Sequence, residues 1–183
     1  MNSVKRSFAI IFATLACLLS LCSCSSSRAK QLTALTSSES KKIKEMSDEI
    51  IRCLTENDRD GFCSLFCDQV RQRESFSQEV DAIFDSFPCE VYVTSEVQDS
   101  ASGGSSSAMG KRTEWYVIPE ITYIEILQPA GEDSKELVDR YYGVYYYWKI
   151  TDTEHPDLEG LHYLAINMLN TDNSIEIGTK KWT

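Results

Sequence analysis

The chain has 183 residues with 28 acidic against 18 basic side chains, a formal net charge of −10. That balance argues against a nucleic-acid partner, because affinity for phosphates is mainly electrostatic and an anionic surface repels them. The length suits one ordinary domain with a real core, and no internal repeat is visible.

At the start, Lys5 and Arg6 precede an apolar run from Phe8 to Leu21 that only Thr14 and Ser20 interrupt. The run is shorter than the roughly 20 residues that span a hydrocarbon core, and its cationic flank comes first, as in a secretory signal. Leu21-Cys22-Ser23-Cys24 then resembles the lipobox of bacterial lipoprotein precursors, with Leu three places before the modified Cys and a small residue just before it. Cys22 would follow Leu21 directly, and Cys17 would have Thr14 in the Leu position, so the register selects Cys24. The resemblance implies a lipoprotein signal peptide over residues 1–23 and a diacylglyceryl thioether on Cys24. The membrane is then a partner through that lipid, and the location is the extracytoplasmic side of the cell membrane. Two acyl chains, at roughly 0.8 kcal/mol per buried methylene, suffice for stable anchoring. Residues 24–38 are polar and serine-rich, which reads as a flexible tether, and 39–183 as a single α+β domain.

From Ser40 the apolar residues Ile43, Met46, Ile50, Cys53 and Leu54 recur at three- and four-residue spacing, predicting a helix that ends near Asn57. Asp60 is placed to cap a second helix running to about Gln72, with Cys63, Phe66, Cys67 and Val70 inward. Ser75 and Gln78 read as a capping box for a third, which buries Phe76, Val80, Ile83, Phe84 and Phe87 before Pro88 ends it. Glu56-Asn57-Asp58-Arg59-Asp60-Gly61 matches part of a calcium loop, but Cys67 stands where the bidentate carboxylate belongs, so the helix cap is the better reading.

Beyond Cys89 the period changes. The runs Val91–Thr94, Trp115–Leu127, Leu137–Thr151, Leu161–Asn170 and Ile175–Ile177 are rich in Tyr, Val, Ile and Thr and are predicted as strands. Asp99–Gly110 reads as a Gly/Ser-rich connection, and Pro119 and Gly143 as bends or bulges that curl the sheet around the helices. Alternation puts Tyr142, Val144, Tyr146, Trp148 and Ile150 on one side and Tyr141, Tyr145 and Tyr147 on the other. Both sides are partly apolar, which calls for extra cover such as a second subunit in a homodimer.

Three amphipathic helices followed by a long, bent, mostly antiparallel sheet resemble the nuclear-transport-factor-two-like superfamily. This cystatin-like, cone-shaped fold is also used by ketosteroid isomerases and many small bacterial lipoproteins. The stretches that carry the resemblance are Ile50 to Phe66, Arg140 to Trp148, and Ile175-Glu176-Ile177-Gly178. It implies a pocket between helices and sheet and frequent dimerisation through the back of the sheet. It implies no single activity.

On that resemblance Tyr142, Tyr146, Trp148 and Tyr163 are candidate residues lining a pocket or the sheet. Asp139 and His162 could be cast as acid or base, but Asp139 alternates away from Tyr142 and Tyr146, and His162 shares its predicted face with Leu164, Ile166 and Met168. No catalytic set assembles. The acidic residues around His155 lack any recognised cation-loop spacing, and the two histidines complete no zinc set with the cysteines, so neither metal nor cofactor is expected. Export would permit disulfides among Cys53, Cys63, Cys67 and Cys89, while the placement of the first three on apolar helical faces favours buried thiols. The expected function is a non-catalytic binding or interaction module whose partner is a small apolar ligand or another envelope protein. The alternative is a small-molecule enzyme of isomerase or hydratase type.

Overall fold

The computed structural model describes residues 37–97, 101–131 and 133–179. The signal-peptide and Cys24 expectations, and all of the tether but its last two residues, lie outside them. The chain divides into two compact units, Met1–Lys42 and Ile43–Thr183. In the first, the described residues 37–42 are helical. All that follows concerns the second, an α+β unit with a seven-stranded sheet whose strand pairs are all antiparallel. Among the described residues no helix is long and apolar enough to cross a membrane.

Helix α1, residues 43–55, turns Ile43, Ile50, Cys53 and Leu54 inward, as their spacing requires. It stops where Asn57 takes a left-handed conformation, φ 55°, which Asn tolerates better than most residues. The cap of α2, Arg59–Ser64, is Asp58 and not the expected Asp60: Asp58 Oδ1 accepts from Gly61 N at 2.9 Å. Its other oxygen accepts from Arg52 at 2.7 Å, so one carboxylate joins the end of α1 to the start of α2. The Arg52 guanidinium, with the Gly61 N–H after it, holds that carboxyl below its usual range.

The single helix expected from Asp60 to Gln72 is broken in two. Leu65–Cys67 leaves the helix between α2 and α3, Asp68–Arg71, because it serves as a strand partner. Leu161 N donates to Leu65 O at 2.8 Å, and Cys67 N donates to Leu161 O at 3.1 Å. Helical periodicity survives in the side chains, since Phe62, Phe66 and Val70 are all buried, but the backbone obeys a distant partner. Helix α4, Phe76–Ser86, buries the residues its pattern selects. Its expected capping box does not form: Ser75 is already in helical geometry and makes no side-chain cap bond. Instead Glu79 is clamped by Arg73 at 2.9 Å and accepts Gly178 N at 3.3 Å, tying α4 to the last strand.

The sheet is organised around β5, Leu137–Asp152. The run from Lys111 to Pro129 lies along one edge of it in two pieces, β3 (Lys111–Ile118) and β4 (Glu120–Pro129), parted at Pro119. The outer row is also in two pieces: β1, Val91–Val97, pairs with β4, and β2, Ser102–Ala108, pairs with β3. On the other edge of β5 come β6, Gly160–Met168, and then β7, Ser174–Gly178.

Strand β2 replaces the connection expected over Asp99–Gly110. Its sequence, SGGSSSA, buries no side chain and so carries no hydrophobic alternation. Its pairing rests on backbone bonds, with Gly103 so close to β3 that a Cβ there would lie 2.4 Å from Tyr116 O. The bulge expected at Gly143 falls on the neighbouring strand: β4 uses Thr122 and Tyr123 opposite the one residue Gly143, between the pairs Ile121↔Val144 and Ile124↔Tyr142.

One face of the sheet presents Ile121, Ile124, Ile126, Tyr142, Val144, Tyr146, Leu161, Leu164 and Ile166 to the helices, forming the main core. A smaller cluster of Ile43, Trp115 and Val117 adjoins it. The junction of Leu65–Cys67 with β6 depends on Gly160, whose φ of 128° few side chains tolerate and whose added Cβ would meet Cys67 N at 2.7 Å. Gly160→Ala is therefore expected to destabilise the fold by about 2–3 kcal/mol in denaturant unfolding. An unchanged midpoint would show that this junction carries little of the stability.

Candidate functional site

Where α4 ends, the helix layer and the sheet part to leave an open cavity of about 530 Å3. Its apolar lining comes from Ile83, Tyr142, Ile166, Met168 and Ile175, and its polar lining from Asp85, Ser86, Gln128 and the turn Asp172–Ser174. Tyr142 is 1% exposed, and its ring packs on Phe87 with centroids 4.6 Å apart. Its hydroxyl donates to Ser86 O at 3.2 Å and lies 3.4 Å from the Gln128 amide. That amide is fixed in turn, its nitrogen donating to Pro88 O at 3.0 Å and its oxygen accepting from Arg140 Nε at 3.0 Å. Burial pushes the Tyr142 hydroxyl above its ordinary pKa, so it remains a neutral donor.

Of the other candidate residues, none lines this cavity. Tyr146 is fully buried in the packed centre, its Oη 2.7 Å from Ser47 Oγ. Tyr146 donates to Ile43 O at 3.4 Å, which leaves Ser47 to donate to Tyr146. Trp148 bridges the main core and the Ile43–Trp115–Val117 cluster. Tyr163 is on the opposite face of the sheet, paired in register with Tyr147 and edge-on to Tyr145 at 6.2 Å.

His162 also faces that opposite side. The register between β5 and β6 skips it, passing from Tyr147↔Tyr163 to Trp148↔Leu161. This bulge turns the imidazole away from Leu164 and Ile166, the face simple alternation gives it, and toward the Tyr147 ring at 5.5 Å. Its Nε2 lies 2.7 Å from Leu158 O and donates to it. A second recess of about 530 Å3 opens here, between Val70 and Arg73 on one side and Tyr147, Lys149 and His162 on the other. Its cations are already matched: Lys149 contacts Glu114 at 3.2 Å and Asp152 at 2.9 Å, and Arg73 contacts Glu79 at 2.9 Å. Burial lowers the His162 pKa, which favours the neutral ring.

Asp152 organises the acidic segment around His155. One of its oxygens accepts the N–H groups of Glu154 and His155 at 3.2 and 3.0 Å while the other accepts from Lys149. The segment is thus closed on itself. Among the described residues no group of three or more His, Cys, Asp or Glu side chains is placed to hold a metal ion. Cys53, Cys63, Cys67 and Cys89 are free thiols, and burial raises the pKa of each, that of Cys53 to about 11. A protonated thiol is a poor nucleophile.

Sequence reasoning found Tyr142 but missed most of its surroundings. Gln128 had a legible signal, a polar residue in phase with the inward Ile124 and Ile126. Ser86 contributes a backbone carbonyl, and the Asp172–Ile175 wall belongs to a turn and the start of β7, so neither carried one.

The fold, with these two recesses, defines a small α+β unit whose antiparallel sheet is covered by helices on one face. The chain belongs to a family described as a domain of unknown function (DUF5104), whose model matches residues 49–176. No curated protein matches the chain. The matched span starts in α1 and ends in β7, so it takes in the whole lining of the first recess and that of the second except Gly178 and Thr179.

Two measurements test the internal chemistry. Ser47→Ala and Tyr146→Phe are each expected to cost about 1–2 kcal/mol, with the double variant costing less than their sum, since both changes remove the same buried hydrogen bond. Strict additivity would mean that the two hydroxyls are not coupled. For His162, the folded pKa lies below the unfolded value of about 6.5, so the unfolded chain takes up the proton first. Its contribution is complete above that pH and declines as pH falls below it. An NMR titration should place the His162 midpoint below about 6.5, and His162→Gln should flatten this part of the stability profile.

Proposed function

We propose that this chain is a lipid-anchored extracytoplasmic binding module, exported by residues 1–23, cut before Cys24 and held to a membrane by lipid on that cysteine. In this reading the domain is of the cone-shaped, nuclear-transport-factor-two-like kind, and the mouth of the cone takes up a small, mainly apolar ligand.

The observation that carries the reading is the satisfied state of the polar groups around Tyr142. Its hydroxyl already meets the Ser86 carbonyl and the Gln128 amide, neither of which exchanges protons near neutral pH. An isomerase or hydratase needs a carboxylate or imidazole in that position. The cavity volume of about 530 Å3 falls within the range of small-molecule sites; Ile83, Tyr142, Ile166, Met168 and Ile175 offer apolar contact, and the polar half of the lining suits orientation of a ligand.

The ligand test uses a neutral apolar probe, 2-naphthol, and thermal unfolding of the purified protein. The melting temperature should rise saturably with the probe, and Met168→Trp, which fills the cavity, should abolish the rise. An equal rise in the Met168→Trp protein would dismiss the mouth as the site. Fractionation of cells tests the anchor: wild-type protein should sediment with membranes, with Cys24→Ala appearing unlipidated. A mature N-terminus beyond Cys24 without lipid would overturn that part.

A further inference from the structure

The face of the sheet turned away from the helices is built from tyrosines and carboxylates. Tyr123 and Tyr141 stack there with centroids 5.3 Å apart and planes 28° from parallel. Tyr145 packs edge-on to Tyr163, and Tyr116 lies 5.4 Å from Tyr147. Strand register sets acids among the rings: Glu125 opposite Tyr141, Glu120 opposite Tyr145, and Asp139 two residues before Tyr141 on the same side. Glu125 accepts from Tyr123 Oη at 3.0 Å. No ion pair engages Glu120, Glu125 or Asp139 among the described residues, and Glu120 and Asp139 are exposed. Lys149, a cation on this face, is only 12% exposed in its side chain and is held by Glu114 and Asp152.

We propose that this face docks a basic polypeptide segment, whose Arg and Lys side chains lie against the tyrosine rings and pair with Glu120, Glu125 and Asp139. Two arguments choose the occupant. A second copy of the chain, brought face to face by a two-fold axis, would set one acidic surface against another, and like charges across an interface are unfavourable. A cation gains from both parts of the surface, since ring faces attract ammonium and guanidinium groups and the acids add charge pairing. Extent excludes a lone small cation as the full occupant: Asp139 and Tyr145, the register partner of Glu120, are six residues apart on β5, roughly 20 Å along an extended strand. A chain bearing a cation every few residues covers that span.

The inference concerns a surface separate from the Tyr142 mouth and stands whether or not the mouth binds a ligand. Its test titrates the full-length protein, in neutral detergent, with a dansyl-labelled oligoarginine peptide at low salt. Saturable binding is expected, and Glu125→Gln/Asp139→Asn should weaken it about fivefold while the control Asp60→Asn/Glu74→Gln, equal in charge removed, leaves it within about twofold. Tyr141→Leu, which keeps bulk without the ring, should weaken it as well. Equal losses in the two double variants would reduce the effect to net charge and overturn the proposal. So would light scattering that shows a dimer dissociated by Glu125→Arg, since this face would then be occupied by a second copy. Should the double variant melt well below wild type, Glu120→Gln alone replaces it, and undiminished affinity there counts against the proposal.

Discussion

Strand β5 is the constraint from which the rest of the domain follows. Along one edge its backbone bonds first to β4 and then to β3, and along the other to β6. A neighbour of that length cannot run through Pro119, which has no N–H to donate, so it divides there while Pro119 O still accepts Tyr146 N at 3.3 Å. The break, the extra residue on β4 opposite Gly143 and the bulge at His162 all let β5 keep its partners across shifts of register. Because β5 alternates inward Tyr142, Val144 and Tyr146 with outward Tyr141, Tyr145 and Tyr147, it also supplies aromatic residues to both faces.

The two faces spend their tyrosines differently. Inside, each hydroxyl is matched to fixed neighbours, Ser86 O and the Gln128 amide for Tyr142 and Ile43 O and Ser47 for Tyr146, and the rings fill space between helices and sheet. Outside, rings stack on rings, and carboxylates stand between them; burial and then Glu125 push Tyr123 up to about 12. The outward face thus presents ring edges and carboxylates, where the inward face presents aliphatic side chains.

Sequence patterns were legible wherever side chains alone determine the element. α1 and α4 announce themselves by three- and four-residue spacing, and β5 by alternation, because those residues fold as their neighbours direct. Leu65–Cys67 could not be read, since its helical side-chain period conceals a backbone bonded to Leu161, a residue distant in sequence. β2 was invisible for the opposite reason: Ser and Gly leave no pattern, and its strand exists through β3. His162 was assigned to the wrong face because a single skipped residue reverses all alternation before it. The mouth beside Tyr142 shows the same limit, for it is assembled from α4, β4, β5, β6 and a turn that no local pattern connects.

The four domain cysteines carry a further consequence. Thiol–disulfide exchange begins with a thiolate, and burial keeps these sulfurs protonated well above neutral pH. Once folded, the domain disfavours exchange at all four, and Cys53 and Cys67 are also closed to partners by burial. Those two are open to oxidants only before the chain folds, so folding speed governs how often they enter a wrong bridge.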